Sequence, residues 1–248
     1  TQQVREGIGI VGGRLQELIG EGVDVRWAVV GFGSESLEDG RVLLPLSPIS
    51  PGADGFRELQ NAYSTNDLNT DYRSGLLGAR EQLRGSTAEC RLLLWFTDGM
   101  FDVGPDGKDP GDAPAVIDGV CASGSGVAGW FQDSNVLSYV ILSNDWDIGK
   151  WERQFSSEGV LEASLSVMQA ITGREDLADG KIGKKEPGFV KLLEDQEYKV
   201  DAACLPYTQD RAEVGEILLN AGDLDDIFDV LMAQILGDTR ATESCPSL

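Results

Sequence analysis

The chain has 248 residues, of which 41% are hydrophobic and 25% charged, so it is long and apolar enough to fold around a sizeable core. It carries 42 acidic and 20 basic residues, and the formal charge of -22 disfavours binding to nucleic acids and to anionic membranes. Histidine is absent, which excludes Ser-His-Asp and Cys-His catalytic systems and zinc sites with histidine ligands.

The first predicted elements are a helix, a strand and an irregular arm. Apolar residues recur at helical spacing over residues 4–19, and the glycines that follow are expected to end this helix. The valine-rich run 23–33 predicts a buried strand. Residues 34–54 predict an arm broken up by prolines, with a short strand at 41–46.

Helices and buried strands are expected to alternate through the middle of the chain. A predicted helix starting near Tyr72 is followed by the run 91–98, whose unbroken apolar sequence is typical of a parallel strand that is buried on both faces. Residues 99–114 form an acidic loop rich in glycine and proline. Residues 115–131 predict a helix weakened by glycine, and 136–142 predict another buried strand.

The last third of the chain mixes clear and weak patterns. Residues 151–171 predict a helix, and 200–205 and 216–219 predict short edge strands. The apolar spacing over 223–236 predicts a closing amphipathic helix, with Asp223 as its N-cap.

Alternation of strands and helices favours an α/β fold with a doubly wound, mostly parallel sheet flanked by helices. We expect one domain over residues 1–248, with an insertion at 173–199 and a C-terminal tail at 237–248. Ligands of such sheets bind beyond the carboxyl ends of the strands. The positions after Gly33, Asp98 and Leu142 are therefore the first places to look for a site.

Two motifs lie at such positions. The segment Asn69-Thr70-Asp71-Tyr72 opens a helix, and the strand Leu92-Leu-Leu-Trp-Phe-Thr97 ends in Asp98-Gly99. A strand that ends in Thr-Asp-Gly, preceded by a helix that starts at Thr-Asp, resembles the von Willebrand factor type A (VWA) domain, and the order of elements resembles it too. The resemblance covers roughly residues 3–145 and 216–236 and implies a Rossmann-like fold.

The resemblance implies a metal-ion-dependent adhesion site. Thr70 would offer a hydroxyl to Mg²⁺, with Mn²⁺ or Ca²⁺ as alternatives, and Asp98 would bind the ion directly or through water. An Asp or Glu of a partner protein would complete the coordination. The plainer interpretations are that Thr70 is an ordinary helix N-cap and that Asp98 caps the loop after its strand.

The chain departs from the family at its first motif, Asp-x-Ser-x-Ser, which ends a central strand before the first helix. The sequence begins at Thr1 in the predicted helix, so this first central strand is missing from the given chain. We expect the strand and its two serine ligands upstream of Thr1.

Two other motifs match short patterns by chance. Glu162-Ala-Ser164-Leu-Ser166 has the spacing of the serine motif but lies inside a helical pattern, so ordinary helix is the preferred interpretation. Gly7-Ile-Gly9-Ile-Val-Gly12 spells a dinucleotide-binding fingerprint, yet its flanks predict helix rather than the required preceding strand. Close helix packing explains these glycines better.

Two further clusters lie near the expected rim of the sheet. The aspartates of the loop 102–112 suit Ca²⁺ but lack the spacing of an EF-hand, so a solvated loop is preferred. Trp146 and Trp151 form an aromatic patch at the same rim, or else pack in the core.

Four cysteines, with no C-x-x-C pair, fit two long-range disulfides or buried free thiols. Three connectivities are possible. Cys90–Cys121 is geometrically easy because these residues flank one strand and helix, and Cys204–Cys245 would then be the second bond. The even count and the acidity favour an extracellular or cell-surface protein. No apolar run is long enough to span a bilayer, so membrane attachment would need segments outside this chain.

The expected function is that of a non-enzymatic, metal-dependent adhesion module that binds a protein ligand presenting an Asp or Glu. An intracellular VWA scaffold or chaperone-linked module is one alternative, and counting free thiols separates it from the extracellular protein. A metal-assisted hydrolase built on Asp98 and the loop 102–112 is the second alternative, although no nucleophile–base pair is visible.

Overall fold

The computed structural model describes residues 9, 11–13, 15–16, 19–20, 22, 24–31, 41–48, 70–88, 90–97, 113–124, 126–142, 160–173, 200–208 and 215–219. The chain divides into two compact units. The first comprises Thr1–Cys90 with Asp223–Leu248, and the second comprises Arg91–Gly222. The expectation of one domain over residues 1–248, with an insertion and a tail, stays a prediction. The predicted closing helix at 223–236 lies outside the described residues.

The first unit begins with a helical stretch, since all the described residues between positions 9 and 20 are helical. It ends at a turn in which the Gly22 N–H donates to the Ile19 carbonyl at 3.0 Å. Gly22 has a φ of 94°, a conformation that glycine adopts without steric cost. The predicted helix end at the glycines is confirmed.

An antiparallel pair of strands follows in the first unit. Strand β1 is Arg26–Gly31 and strand β2 is Arg41–Pro48. Both strands were predicted, but β2 runs two residues further than 41–46. The expected burial of the first strand is wrong, since no residue of β1 is fully buried. The register shifts twice, because Trp27 pairs with Ser47, Val29 with Leu44 and Val30 with Val42, so β2 contributes an extra residue at each shift.

These bulges suit the sequence of β2. Pro45 has no N–H to give to the ladder, so it is tolerated where pairing is interrupted. The N–H of Leu46 donates instead to Gln82 Oε1 at 2.9 Å. This hydrogen bond ties the bulge to the helix Tyr72–Arg84. A buried or half-buried N–H that would otherwise lack a partner is thereby satisfied.

Helix α1, Tyr72–Arg84, packs on β1 and β2. Tyr72 and Leu76 are 1% and 3% exposed and anchor its inner face. Burial of an aliphatic side chain such as Leu76 contributes about 1.5–3 kcal/mol. The helix ends at Gly85, whose N–H donates to the Leu83 carbonyl.

The second unit contains a parallel sheet in the order β3-β4-β5. Strand β3 is Leu92–Thr97, β4 is Leu137–Leu142 and β5 is Gly215–Leu219. The positions of these three strands were predicted, and this is confirmed. The expected burial of β3 on both faces is wrong, because four of its six residues are only half-buried and β3 lies at the edge of the described sheet. Thr97 pairs with Leu142, and Leu142 pairs with Leu219, so the three strands end in register at one edge. That this sheet is part of a doubly wound, mostly parallel fold stays a prediction.

Two helices lie in the described part of the connection between β3 and β4, where one was predicted. Helix α2 is Ala113–Cys121 and helix α3 is Val127–Asp133. The prediction of a single helix over 115–131 is wrong because a turn with two glycines interrupts it. Gly124 has a φ of 82°, and the Gly126 N–H donates to the Ala122 carbonyl at 2.8 Å, which closes a tight turn.

Helix α4, Val160–Thr172, forms the centre of the second unit. It contacts α2, α3, β4 and β5, and every residue from 163 to 173 is buried. Polar side chains of a buried helix usually find partners within the protein, and Thr172 Oγ1 donates to the Met168 carbonyl at 2.9 Å. Ser164 Oγ is an exception, since it is buried with no hydrogen-bond partner among the described residues. None of the described helices is long and apolar enough to cross a membrane.

The segment 200–208 forms a turn and a short 3-10 helix, Leu205–Tyr207, so the predicted edge strand at 200–205 is wrong. Asp201 explains the difference. Its carboxylate accepts the Ala203 N–H at 2.8 Å, and its carbonyl accepts the N–H groups of Cys204 and Leu205. These local hydrogen bonds compete with pairing to a neighbouring strand.

The disulfide in this unit joins Cys121 to Cys204, with 5.0 Å between their Cα atoms. The predicted pairs Cys90–Cys121 and Cys204–Cys245 are therefore wrong. The bond joins the end of α2 to the turn before the 3-10 helix. The two cysteines are 83 positions apart, and their spacing in the sequence does not predict this pairing. Cys90 is also disulfide-bonded, and Cys245 lies outside the described residues.

Asn135 terminates helix α3 with a φ of 50°, in the left-handed region. Its N–H donates to the Gln132 carbonyl and the Val136 N–H donates to the Phe131 carbonyl, which is the Schellman pattern. Asn is among the few residues other than glycine that tolerate this conformation.

Replacement of Asn135 with Val is expected to lower the free energy of unfolding by about 1–2 kcal/mol, because a β-branched residue is strained at positive φ. Asn135→Gly should leave it unchanged or raise it slightly. Urea denaturation measures both. Ser134, with a φ of -93°, is the matched control, and equal losses for Ser134→Val and Asn135→Val would contradict the prediction.

Candidate functional site

The start of helix α1 carries the first proposed ligand, Thr70. The N-cap of this helix is Asp71 and not Thr70. Asp71 Oδ1 accepts the Ser74 N–H at 3.0 Å, and the Asp71 carbonyl accepts the Ser74 hydroxyl at 3.1 Å. The interpretation of Thr70 as a plain N-cap is therefore wrong.

The geometry around Thr70 is set by its neighbours. Asp71 fixes the direction in which the chain enters the helix, and Tyr72 anchors the first turn in the unit. Thr70 lies one residue before the cap and is half-exposed.

The carboxyl edge of the parallel sheet carries the second proposed ligand in sequence. Thr97 is the last residue of β3 and is 5% exposed. Asp98 is the next residue, and it lies outside the described residues, as do the loop 102–112 and the pair Trp146 and Trp151. Thr70 belongs to the first unit and Asp98 to the second. Their joint site is consequently a proposal.

The serine motif at 162–166 is ordinary helix, as expected. Ser164 and Ser166 lie within α4 and are 0% exposed. Ser166 Oγ accepts the backbone N–H of Asp201 at 2.9 Å, so its role is to hold the segment 200–208. The described residues of the glycine motif, Gly9 and Gly12, are helical, which agrees with close helix packing.

Within the described part of the chain, no group of three or more Cys, Asp or Glu side chains is arranged to hold a metal ion. A threonine hydroxyl and a single carboxylate do not make such a group. The chemistry of Thr70 and Asp98 fits Mg²⁺, since both side chains offer hard oxygen donors, but water and a further anion must supply the remaining ligands.

Sequence reasoning missed a buried polar side chain that joins three elements. Gln132 of α3 is 6% exposed, and its Nε2 donates to the carbonyls of Ala170 and Tyr207, each at 2.6 Å. Gln132 therefore fastens α3 to the end of α4 and to the 3-10 helix. A glutamine within an apolar helical pattern was the available signal, because buried amides are retained where they have partners.

Tyr207 also explains a close approach in this region. A Cβ at Gly129 would lie 3.3 Å from Tyr207 Cε1, so α3 and the 3-10 helix pack at glycine distance. The disulfide, Gln132 and Ser166 all hold the same segment, 200–208. This segment is therefore attached to α2, α3 and α4 of the second unit.

The chain matches no protein-family model, no curated protein and no solved structure.

Proposed function

We propose that the protein is a non-enzymatic, magnesium-dependent protein-binding module of the VWA type, with Thr70 and Asp98 as metal ligands. The observation that supports this proposal best is the position of Thr70 immediately before Asp71, the N-cap of α1. At this place the resemblance to the VWA domain expects a hydroxyl ligand.

The ligand chemistry supports a site that recruits a partner. Mg²⁺ takes about six oxygen ligands in near-octahedral geometry and retains several waters. A neutral hydroxyl and one carboxylate leave the ion with excess positive charge. An Asp or Glu side chain of a partner protein, replacing a water, would complete both the coordination and the charge. Mn²⁺ has the same ligand preferences, and Ca²⁺ is the third candidate.

Charge and cysteine chemistry agree with this proposal. The formal charge of -22 attracts cations and disfavours nucleic acid as the partner. The Cys121–Cys204 disulfide is compatible with an extracellular or cell-surface location, because such bonds persist in oxidising compartments. The intracellular scaffold alternative instead requires four reactive thiols in the native protein.

Isothermal titration calorimetry with MgCl₂ and MnCl₂ tests the metal site. Thr70→Val removes the hydroxyl with little change of shape, and Asp98→Asn removes the negative charge. Each is expected to weaken metal binding at least about tenfold. Even the loss of a residue that only hydrogen-bonds to a metal ligand typically lowers metal affinity by about that factor. Thr70→Ser keeps a hydroxyl and should bind nearly as well as the native protein.

Matched controls come from outside the proposed site. Thr87 is an exposed threonine just after α1, and Asp118 is an exposed aspartate of α2. Thr87→Val and Asp118→Asn should leave metal affinity unchanged. Equal affinity of the native protein and both site variants would refute the assignment of these ligands. A loss of affinity in the control variants as well would indicate diffuse binding to the acidic surface.

A further inference from the structure

Helix α1 presents three arginines on one side. Arg73, Arg80 and Arg84 are separated by seven and four residues, and such spacings return to the same side of an α-helix. Leu77 lies between Arg73 and Arg80 on that side, four residues from the first. We call these four residues the arginine stripe, and it extends over about 16 Å.

The two ends of the arginine stripe are exposed to solvent, and its middle is half-buried. Arg73 and Arg84 are exposed, with 68% of the Arg84 side chain accessible, while Leu77 and Arg80 are half-buried. The inner face of α1, which contacts β1 and β2, carries the buried Tyr72 and Leu76 instead.

Intramolecular pairing leaves the stripe cationic. Glu81 interacts with Arg80 at 3.0 Å and with Arg84 at 3.7 Å. Within the described part of the chain, Arg73 makes no ion pair. Such exposed pairs contribute little to stability, about 0–1 kcal/mol. These ion pairs therefore do not account for three aligned arginines.

The position of Arg73 is electrostatically unfavourable for the helix itself. It lies in the first turn, two residues after the N-cap Asp71, where the helix dipole disfavours a cation. Arg84 in the last turn is favoured by the same dipole. In a chain with 42 acidic and 20 basic residues, a cation at the wrong helix end and in line with two others indicates a role outside the helix.

We propose that the arginine stripe binds a short acidic helical segment of a partner protein. At physiological ionic strength charges are screened over about 8 Å, so a ligand on the stripe experiences the local cations more than the net charge of the chain. Carboxylates at matching helical spacing would pair with the arginines, and an apolar side chain between them would cover Leu77. A longer polyanion would extend beyond the stripe onto an acidic chain. The net charge also disfavours a second copy as the occupant.

Fluorescence anisotropy with a fluorescein-labelled helical peptide tests this interaction. The peptide carries glutamates at the spacing of the arginines around one leucine, and a control peptide has glutamine at those positions. The native protein should bind the glutamate peptide more tightly than the glutamine peptide, and added NaCl should weaken binding. Because each exposed pair is worth up to about 1 kcal/mol, Arg73→Gln and Arg84→Gln should each weaken binding up to about fivefold.

Charge reversal and a matched control show whether the peptide binds at the arginine stripe. The double variant R73E/R84E should lose at least about tenfold in affinity, while Arg26→Glu on β1, also an exposed arginine, should change it by less than about twofold. Both variants should retain the native far-ultraviolet circular dichroism.

Three results would overturn the proposal. The first is equal affinity of R73E/R84E and native protein for the glutamate peptide. The second is tighter binding of short-chain polyphosphate than of the glutamate peptide, which would assign the stripe to a phosphate ligand. The third is a mass in sedimentation equilibrium that falls from dimer to monomer in R73E/R84E, which would assign it to a second copy. The metal site is not involved, so these results are independent of Thr70 and Asp98.

Discussion

Replacement of Cys121, of Cys204, or of both with alanine is expected to lower the free energy of unfolding by nearly the same amount, about 4–5 kcal/mol. The bond closes a loop between residues 83 positions apart, and the loss of unfolded-state entropy for a loop of that size has about this magnitude. Both cysteines are nearly inaccessible, at 1% and 0% exposure, so a single replacement leaves only a buried thiol, which is a weak hydrogen-bonding group.

The equality of single and double variants is the diagnostic part of this prediction. If one bond joins the two residues, the second alanine removes nothing further. If each cysteine were bonded to a different partner, two bonds would be lost and the effects would add. Urea denaturation without reductant measures the series, and peptide mapping under non-reducing conditions should yield one fragment pair containing Cys121 and Cys204. Additive losses would contradict the pairing.

Replacement of Gly126 with Ala is expected to cost about 3 kcal/mol or more in the free energy of unfolding. A Cβ at this position would lie 2.5 Å from the Val120 carbonyl oxygen and 2.7 Å from both the nitrogen and the oxygen of Ala122. All three atoms are backbone, so no side-chain rotation relieves the overlap. The φ of Gly126 is -69°, and the cost is therefore steric alone.

Two other glycines provide matched controls for Gly126. Gly124 has open space around its Cβ position but a φ of 82°, so Gly124→Ala should cost about 1–2 kcal/mol from backbone strain. Gly85 has open space and a φ of -85°, so Gly85→Ala should be neutral or stabilising by up to about 1 kcal/mol. The urea midpoint should be lowest for Gly126→Ala, intermediate for Gly124→Ala and highest for Gly85→Ala. A Gly126→Ala protein as stable as Gly85→Ala would contradict the turn geometry.

The strands of the parallel sheet were predictable because their sequences are governed by burial. A run such as Leu92–Thr97 is apolar without interruption, which is typical of a strand in a parallel sheet, although four of its six residues are only half-buried in the structure. The periodicity of Tyr72–Arg84 likewise predicts one buried face and therefore the helix. Local patterns of this kind carry their own structural information.

The errors share a different origin, since each depends on geometry beyond the local pattern. The break between α2 and α3 requires Gly124 and Gly126 in particular conformations, which glycine permits but does not demand. Residues 200–205 were predicted as an edge strand, yet Asp201 stabilises a turn. The Cys121–Cys204 pairing depends on tertiary packing, which cysteine spacing does not reveal.

The candidate site was predictable in outline only. Sequence placed Thr70 next to the start of a helix, but whether Thr70 or Asp71 is the cap depends on a difference of one residue in register, and only the hydrogen bond to Ser74 decides it. The roles of Gln132 and Ser166 were not predictable, because their partners are 38, 75 and 35 residues away in sequence.

Crystals of the protein soaked in MnCl₂ offer the most direct test of the proposed metal site, because manganese is located by its anomalous scattering. We predict one strong anomalous peak at about 2.1–2.3 Å from Thr70 Oγ1, with the Asp98 carboxylate bound to it directly or through one water. A map with no peak near Thr70, or with its strongest peak among other carboxylates, would contradict the proposed function.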